Sequence, residues 1–299
     1  MSSQRVIGVD LGGTKILAGV LDRNSTILDT CEVPTPTETQ AALVEAIAGA
    51  VEQVLQPGVA ALGLGLPSVI DSAGCSLDSI NIPLAGIALG PLLGERFGIP
   101  AAVENDANAA TFAEWRRGAG RGTDDLVMLT LGTGVGGGIV LGGRLYRGWA
   151  ELGHVVVVAD GPPCQGSCTG RGHLEAVASG NAADRAAGEL WGPGSTAEQL
   201  VERAREGDGQ AVEALERMGR LLGAGIGSLV NIFGVGLVIV GGGFGAAAAE
   251  FLFGPALETA RREALGPGRG VRVVSAELGS DAGLVGAGLV GFEALDGQR

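Results

Sequence analysis

Val6-Ile7-Gly8-Val9-Asp10-Leu11-Gly12-Gly13-Thr14-Lys15 is the stretch whose reading decides the fold. A short apolar strand ends in an acid and breaks into two glycines, which brings bare backbone N–H groups within reach of phosphate. Asp10 at such a strand end suits a hydrated magnesium ion, while the N–H groups of Gly12, Gly13 and Thr14 face anionic oxygens. Lys15 is the single lysine of the chain; all other basic side chains are arginines. A genome poor in lysine codons accounts for the scarcity, but not for where the one lysine stands.

A second glycine turn follows the same plan. Asp125-Leu126-Val127-Met128-Leu129-Thr130-Leu131 reads as a buried strand, Gly132-Thr133-Gly134-Val135-Gly136-Gly137-Gly138 as a turn, and Ile139-Val140-Leu141 as a strand again. In a chain with 55 glycines, an ordinary glycine-rich hairpin gives this pattern too. Two such turns, each after a buried strand, predict two like-folded halves facing one nucleotide. Leu237-Val238-Ile239-Val240-Gly241-Gly242-Gly243 repeats the theme, and its glycines would let a flat base lie against the backbone.

At 299 residues, one large domain or two lobes are expected. With 46% hydrophobic but only 4% aromatic residues, the core must be built from Ala, Val, Leu and Ile. The net charge of −13 argues against nucleic acid and against an anionic membrane surface as partners. It does not exclude ATP, whose phosphates magnesium and local N–H groups neutralise. No signal peptide is visible, and four cysteines (Cys31, Cys75, Cys164, Cys168) are too few for a disulfide scaffold, so a reducing cytoplasm is expected. Residues 221–249 carry no charged side chain, which raises the question of a membrane span. Asn231 and nine glycines within the run favour a buried helix-strand-helix unit.

Strands are predicted at 5–10, 15–22, 26–33, 60–66, 101–103, 125–131, 237–240 and 271–275. Helices are predicted at 38–56, 88–97, 108–117, 174–188, 196–205, 209–230, 246–264 and 282–295. The alternation gives an α/β fold. The first lobe spans 1–117 and the second 118–281, with the C-terminal helix, 282–299, packing back onto the first.

Both histidines, His154 and His173, fall within 20 residues of sequence and enclose Cys164 and Cys168. Two thiolates and two imidazoles make a closed tetrahedral zinc site, structural because protein fills all four positions. Unpaired polar loop residues are the alternative. Glu151 and Glu175 flank the cluster and suit the hydroxyls of a polyol, each accepting several hydrogen bonds. They also read as surface glutamates, Glu175 as a helix N-terminal acid. In Val103-Glu104-Asn105-Asp106-Ala107-Asn108 a strand passes into a helix. Asn105 or Asp106 is either the helix N-cap, or Asp106 takes the proton of an attacking hydroxyl that Asn105 orients.

Taken in order, Asp10 to Lys15, Glu104 to Asn108, Leu131 to Gly138, Glu151-Leu152-Gly153-His154 and Val240 to Gly243 resemble the ROK-family sugar kinases, with bacterial glucokinases as the nearest type. The resemblance runs from about Val6 to Leu295. It implies two ribonuclease-H-like (actin-like ATPase) lobes with ATP and sugar in a central cleft, and a homo-oligomer, dimer or tetramer. It also implies ATP phosphate loops at 8–15 and 132–139, the adenosine side at Gly241, Gly242 and Gly243, and Asp106 as catalytic base. Asn105, Glu151, His154, Glu175 and Asn81 match sugar contacts, and His154 is also the first zinc ligand. The family's zinc run is Cys-x-Cys-Gly-x-x-Gly-Cys-x-Glu. Here three residues separate Cys164 from Cys168, and His173 stands at the last ligand position, while Gly172 and Glu175 match. Repressor members carry an N-terminal DNA-binding helix pair; a first strand at about Arg5 makes that role unexpected. The expected activity is ATP-dependent phosphorylation of the glucose 6-hydroxyl, with Mg2+. The alternatives are another hexose or N-acetylhexosamine, polyphosphate as donor, a sugar sensor without catalysis, or a non-sugar ATPase of the same fold.

Overall fold

The computed structural model describes residues 4–71, 74–78, 82–166 and 168–297. The chain divides into two compact units, Met1–Arg117 with Asp281–Arg299, and Gly118–Ser280.

In the first unit, β1 (Arg5–Leu11), β2 (Lys15–Asp22) and β3 (Ile27–Pro34) form an antiparallel meander. Helix α1 (Gln40–Val54) follows and leads to β4 (Val59–Leu66), parallel to β1. A small hairpin, β5 (Val69–Ile70) and β6 (Ser76–Asp78), precedes α2 (Leu89–Phe97). Strand β7 (Ala101–Asn105) runs parallel to β4 and passes directly into α3 (Asp106–Arg117). The sheet order is β3-β2-β1-β4-β7.

The second unit repeats this plan. Strands β8 (Leu126–Leu131), β9 (Val135–Leu141) and β10 (Arg144–Leu145) form the meander, and then come α4 (Leu174–Ala178), α5 (Gly180–Trp191), α6 (Ala197–Arg205) and α7 (Gly209–Phe233). Strand β11 (Leu237–Gly241) lies parallel to β8; α8 (Gly243–Ala247), α9 (Ala249–Glu263) and β12 (Arg272–Ser275) complete the unit. Its order, β10-β9-β8-β11-β12, has the same sequence of antiparallel and parallel pairings. Helix α10 (Ala282–Leu295) returns to the first unit and packs on α3, β4 and β1.

With few aromatics, close packing comes from glycine. A methyl at Gly63 of β4 would overlap the Ala287 carbonyl of α10, and one at Gly8 of β1 would lie 2.6 Å from the Leu284 carbonyl. In the second unit, Gly219, Gly223 and Gly227 on one face of α7 meet Leu252, Ala256 and Glu263 of α9. Within the charge-free run Gly223 and Gly227 are such helix contacts, and no helix among the described residues is long and apolar enough to cross a membrane.

Three predicted elements need correction. The second glycine turn is only 132–134. Gly136, Gly137 and Gly138 lie inside β9, where a methyl at Gly137 would come 2.6 Å from the Met128 carbonyl and 2.8 Å from Leu152. The helix predicted at 174–188 breaks at Ser179, whose extended backbone (φ −101°, ψ 173°) lets its hydroxyl cap α5 through the Ala182 N–H. The helix predicted at 246–264 is likewise two, α8 and α9, meeting at Ala248.

Candidate active site

In the first unit, strand register sets the site. Asp10 of β1 pairs with Gly65 of β4, and Gly65 with Glu104 of β7. The three stand in one row at the carboxyl ends of parallel strands, where α/β sheets hold their ligands. A methyl on Gly65 would lie 3.9 Å from Asp10 Oδ1 and 3.8 Å from the Asp106 Cα, so this glycine separates the two carboxylate residues with minimal bulk. The Asp10 carboxylate also abuts the first turn of α10, where a methyl at Gly283 would overlap it. Burial pushes the Asp10 carboxyl above its ordinary value, and Lys15 opposes the shift.

The structure gives the capping role to Asn105. Asn105 is the cap of α3: its Oδ1 accepts the Asn108 N–H at 3.0 Å. Its side-chain amide donates to the Ser68 carbonyl (3.3 Å) and to Asp106 Oδ1 (3.1 Å). Asp106 Oδ1 also accepts the Ala107 N–H at 2.7 Å, so two donors fix the half-buried carboxylate. Behind them Glu104, 4% exposed, accepts from the Asn105 N–H and from Asn108 Nδ2, each at 3.1 Å.

The first glycine turn, Gly12, Gly13 and Thr14, is closed by a Gly12 N–H bond to the Lys15 carbonyl at 2.9 Å. Thr35 braces it through its hydroxyl to the Gly12 carbonyl (2.8 Å) and its N–H to the Thr14 carbonyl (3.0 Å). Lys15 Nζ is directed to Glu32 Oε2 at 2.8 Å on the solvent-exposed side, and this bond holds the lysine above its ordinary value. Asn81 lies outside the described residues.

In the second unit, Gly132, Thr133 and Gly134 form the turn after β8. Its carbonyls accept from α5: Gly180 N–H to Gly132 (2.7 Å) and Asn181 N–H to Thr133 (3.3 Å). Gly136 and Gly137 belong to β9 and not to this turn. Gly242, between Gly241 at the end of β11 and Gly243 at the start of α8, has φ +84° and lies against Leu131; a methyl there would overlap the Leu131 carbonyl. The second and third glycine turns are thus neighbours.

The window 151–175 folds as a hairpin-like loop. Isolated bridges join Val156 to His173 and Pro163 to Arg171, and Leu174 N–H bonds the Val155 carbonyl at 2.9 Å. This brings the histidine rings into an edge-on pair at 5.0 Å. Glu151 caps the 3₁₀ turn Leu152–His154 and is exposed, its Oε2 3.8 Å from His154 Nδ1, too long for a hydrogen bond. Glu175 turns to its own unit: Oε2 accepts the Val135 N–H at 2.9 Å, and Oε1 accepts from Cys164 Sγ at 3.6 Å.

One potential ligand atom each from His154, Cys164, Cys168 and His173 falls within 4.8 Å of the other three. Cys168 Sγ and His173 Nδ1 are 3.6 Å apart, the edge of a tetrahedron with zinc bonds of about 2.0–2.3 Å. His154 Nδ1 is buried without a hydrogen-bond partner, an orphaned donor-acceptor that a metal would satisfy. Burial, with Cys168 and Glu175 adding to it, pushes the Cys164 thiol up to about 11, so this thiol stays protonated until a metal displaces its proton. The four residues fit a zinc ion.

Two five-stranded units of identical pairing pattern, with glycine turns after their first strands and, in the first unit, carboxylates at strand ends, define the actin-like ATPase fold. The chain belongs to the ROK family, which it matches over residues 6–291. It is 37% identical to a glucokinase of Streptomyces coelicolor over 94% of this chain and 95% of that one. It is also 37% identical to a glucokinase of Thermotoga maritima, over 99% and 100%. Among solved structures, a ROK family glucokinase from Streptomyces griseus in complex with glucose and AMPPNP matches with a TM-score of 0.83 and 38% identity, covering 97% of this chain and 99% of that one.

Proposed function

We propose that this chain is an ATP-dependent glucose kinase acting on the sugar 6-hydroxyl. The observation that carries the reading is the Asp10-Gly65-Asp106 arrangement at the strand ends, in a chain similar along its length to proteins named glucokinase.

Asp106 is the base. The 6-hydroxyl gives its proton to the carboxylate as its oxygen bonds to the γ-phosphorus, the bond from that phosphorus to the β,γ-bridging oxygen breaks, and ADP leaves. Because Asn105 and the Ala107 N–H hold Oδ1, the carboxylate meets the alcohol in one orientation. Asn105, Glu151, His154 and Glu175 supply sugar contacts. The turns at 12–14 and 132–134 take the phosphates, and 241–243 the adenosine side. Magnesium, when bound with ATP, offsets phosphate charge, and Asp10 is the residue that would hold it through water. His154, Cys164, Cys168 and His173 would hold zinc, which would close the loop 154–173 and take no part in the chemistry. Cys31 and Cys75 are free thiols, which suits a reducing cytoplasm.

A panel of sugars and donors tests the reading. Glucose with ATP is expected to give the highest kcat/KM. A higher value for an N-acetylhexosamine, or for polyphosphate as donor, would replace the substrate assignment.

A further inference from the structure

Residues of the metal loop reach the second glycine turn by two routes. Glu175, two residues past His173, accepts through Oε2 the Val135 N–H that ends the turn. Beside Cys164 in the chain, Gln165 Nε2 donates to the Thr133 carbonyl at 3.4 Å, and Gln165 Oε1 accepts from Asn181 Nδ2 at 2.5 Å. The fit is close: a methyl at Gly134 would overlap Glu175 Oε2 and come 3.0 Å from Gln165 Nε2. A loop of short irregular segments, rich in glycine and proline, thus supplies the backing of a loop that binds phosphate.

We propose that Glu175 and Gln165 are positioning residues that couple metal occupancy to the nucleotide: the metal fixes Cys164 and His173, and the side chains of their chain neighbours Gln165 and Glu175 then fix the 132–135 turn. The coupling rests on the reading of that turn as a phosphate loop. The turn's N–H groups bind phosphate well only if they are held in place beforehand, since each ordering step otherwise subtracts from affinity. Two hydrogen bonds are at stake, and their loss predicts roughly 5- to 10-fold weaker nucleotide binding.

The test uses full-length protein loaded with zinc, the same protein stripped with chelator, and the loaded variants Glu175→Gln, Glu175→Ala and Gln165→Ala. Amide hydrogen exchange across 132–135 is read without nucleotide, and KM is measured separately for ATP and for glucose. Stripping zinc and Glu175→Ala are expected to speed exchange at Val135. Glu175→Gln, which keeps one acceptor for the Val135 N–H and an amide toward Cys164, restores slow exchange. Gln165→Ala is expected to raise the KM for ATP several-fold and leave the KM for glucose unchanged. Exchange at Val135 that is equal with and without zinc and in Glu175→Ala overturns the coupling. A rise confined to the glucose KM in Gln165→Ala overturns it as well, reducing the loop to a sugar site. If ATP does not bind the wild-type protein, the phosphate-loop reading fails, while the exchange data still decide whether metal and turn are linked.

Discussion

Asp10 carries its charge where the protein resists it. Its folded value lies above the unfolded one because burial outweighs the attraction of Lys15. A carboxyl raised in this way stabilises the fold fully below its unfolded value and loses that contribution as pH rises through the folded value. Where it is ionised, the group therefore weakens the ligand-free protein. Asp10→Asn is expected to raise the melting temperature at pH 7 by roughly 2–4 °C, with the gain shrinking as pH falls toward the carboxylate range. The same variant should lose most turnover. A variant that melts lower than wild type at pH 7 contradicts this account of the site. Asp106→Asn should bind glucose as wild type does by calorimetry while losing about 100- to 10,000-fold in kcat. Asp106 and Asn105 were legible because a strand passes into a helix through two polar residues. Glu104 and Gly65 were not: their parts emerge from register across β1, β4 and β7, which no local pattern displays.

Among elements, α10 shows how a chain poor in aromatics builds a core. Its Gly291 admits the β4 backbone and its Gly286 the α3 backbone, and β1 and β4 answer with Gly8 and Gly63. Gly63→Ala is expected to destabilise by about 1–3 kcal/mol, since a methyl would meet backbone that cannot yield. Urea unfolding would read this as a lower midpoint with unchanged slope; an unchanged midpoint would show that α10 packs more loosely than described. The alternation of strands and helices was legible because apolar runs alternate with helical periods. Element ends were less so. Gly136 to Gly138 read as turn because glycine marks turns, yet here it makes room beneath Leu152. The break at Ser179 was hidden because an apolar period continues through it, from Leu174 in α4 to Ala183 and Ala187 in α5.

At the scale of the whole molecule, two units of one pairing plan divide the work. The first carries Asp10 and Asp106; the second carries the turn at 132–134 and the cluster of His154, Cys164, Cys168 and His173. The cluster was legible from the crowding of rare residues, whereas the link from Glu175 to Val135 required coordinates. Purified protein is expected to hold one zinc per chain by elemental analysis, and Cys168→Ser well under one; full zinc retention in that variant would remove Cys168 from the ligand set. The central claim, that Asp106 drives phosphate from ATP to a sugar alcohol, is tested most directly with γ-labelled ATP and glucose. Wild-type enzyme should place the label on the 6-oxygen of glucose, one equivalent per ADP formed, and Asp106→Asn should leave the sugar nearly unlabelled. Label released as inorganic phosphate whether or not glucose is present, or glucose labelled equally well by the variant, would contradict it.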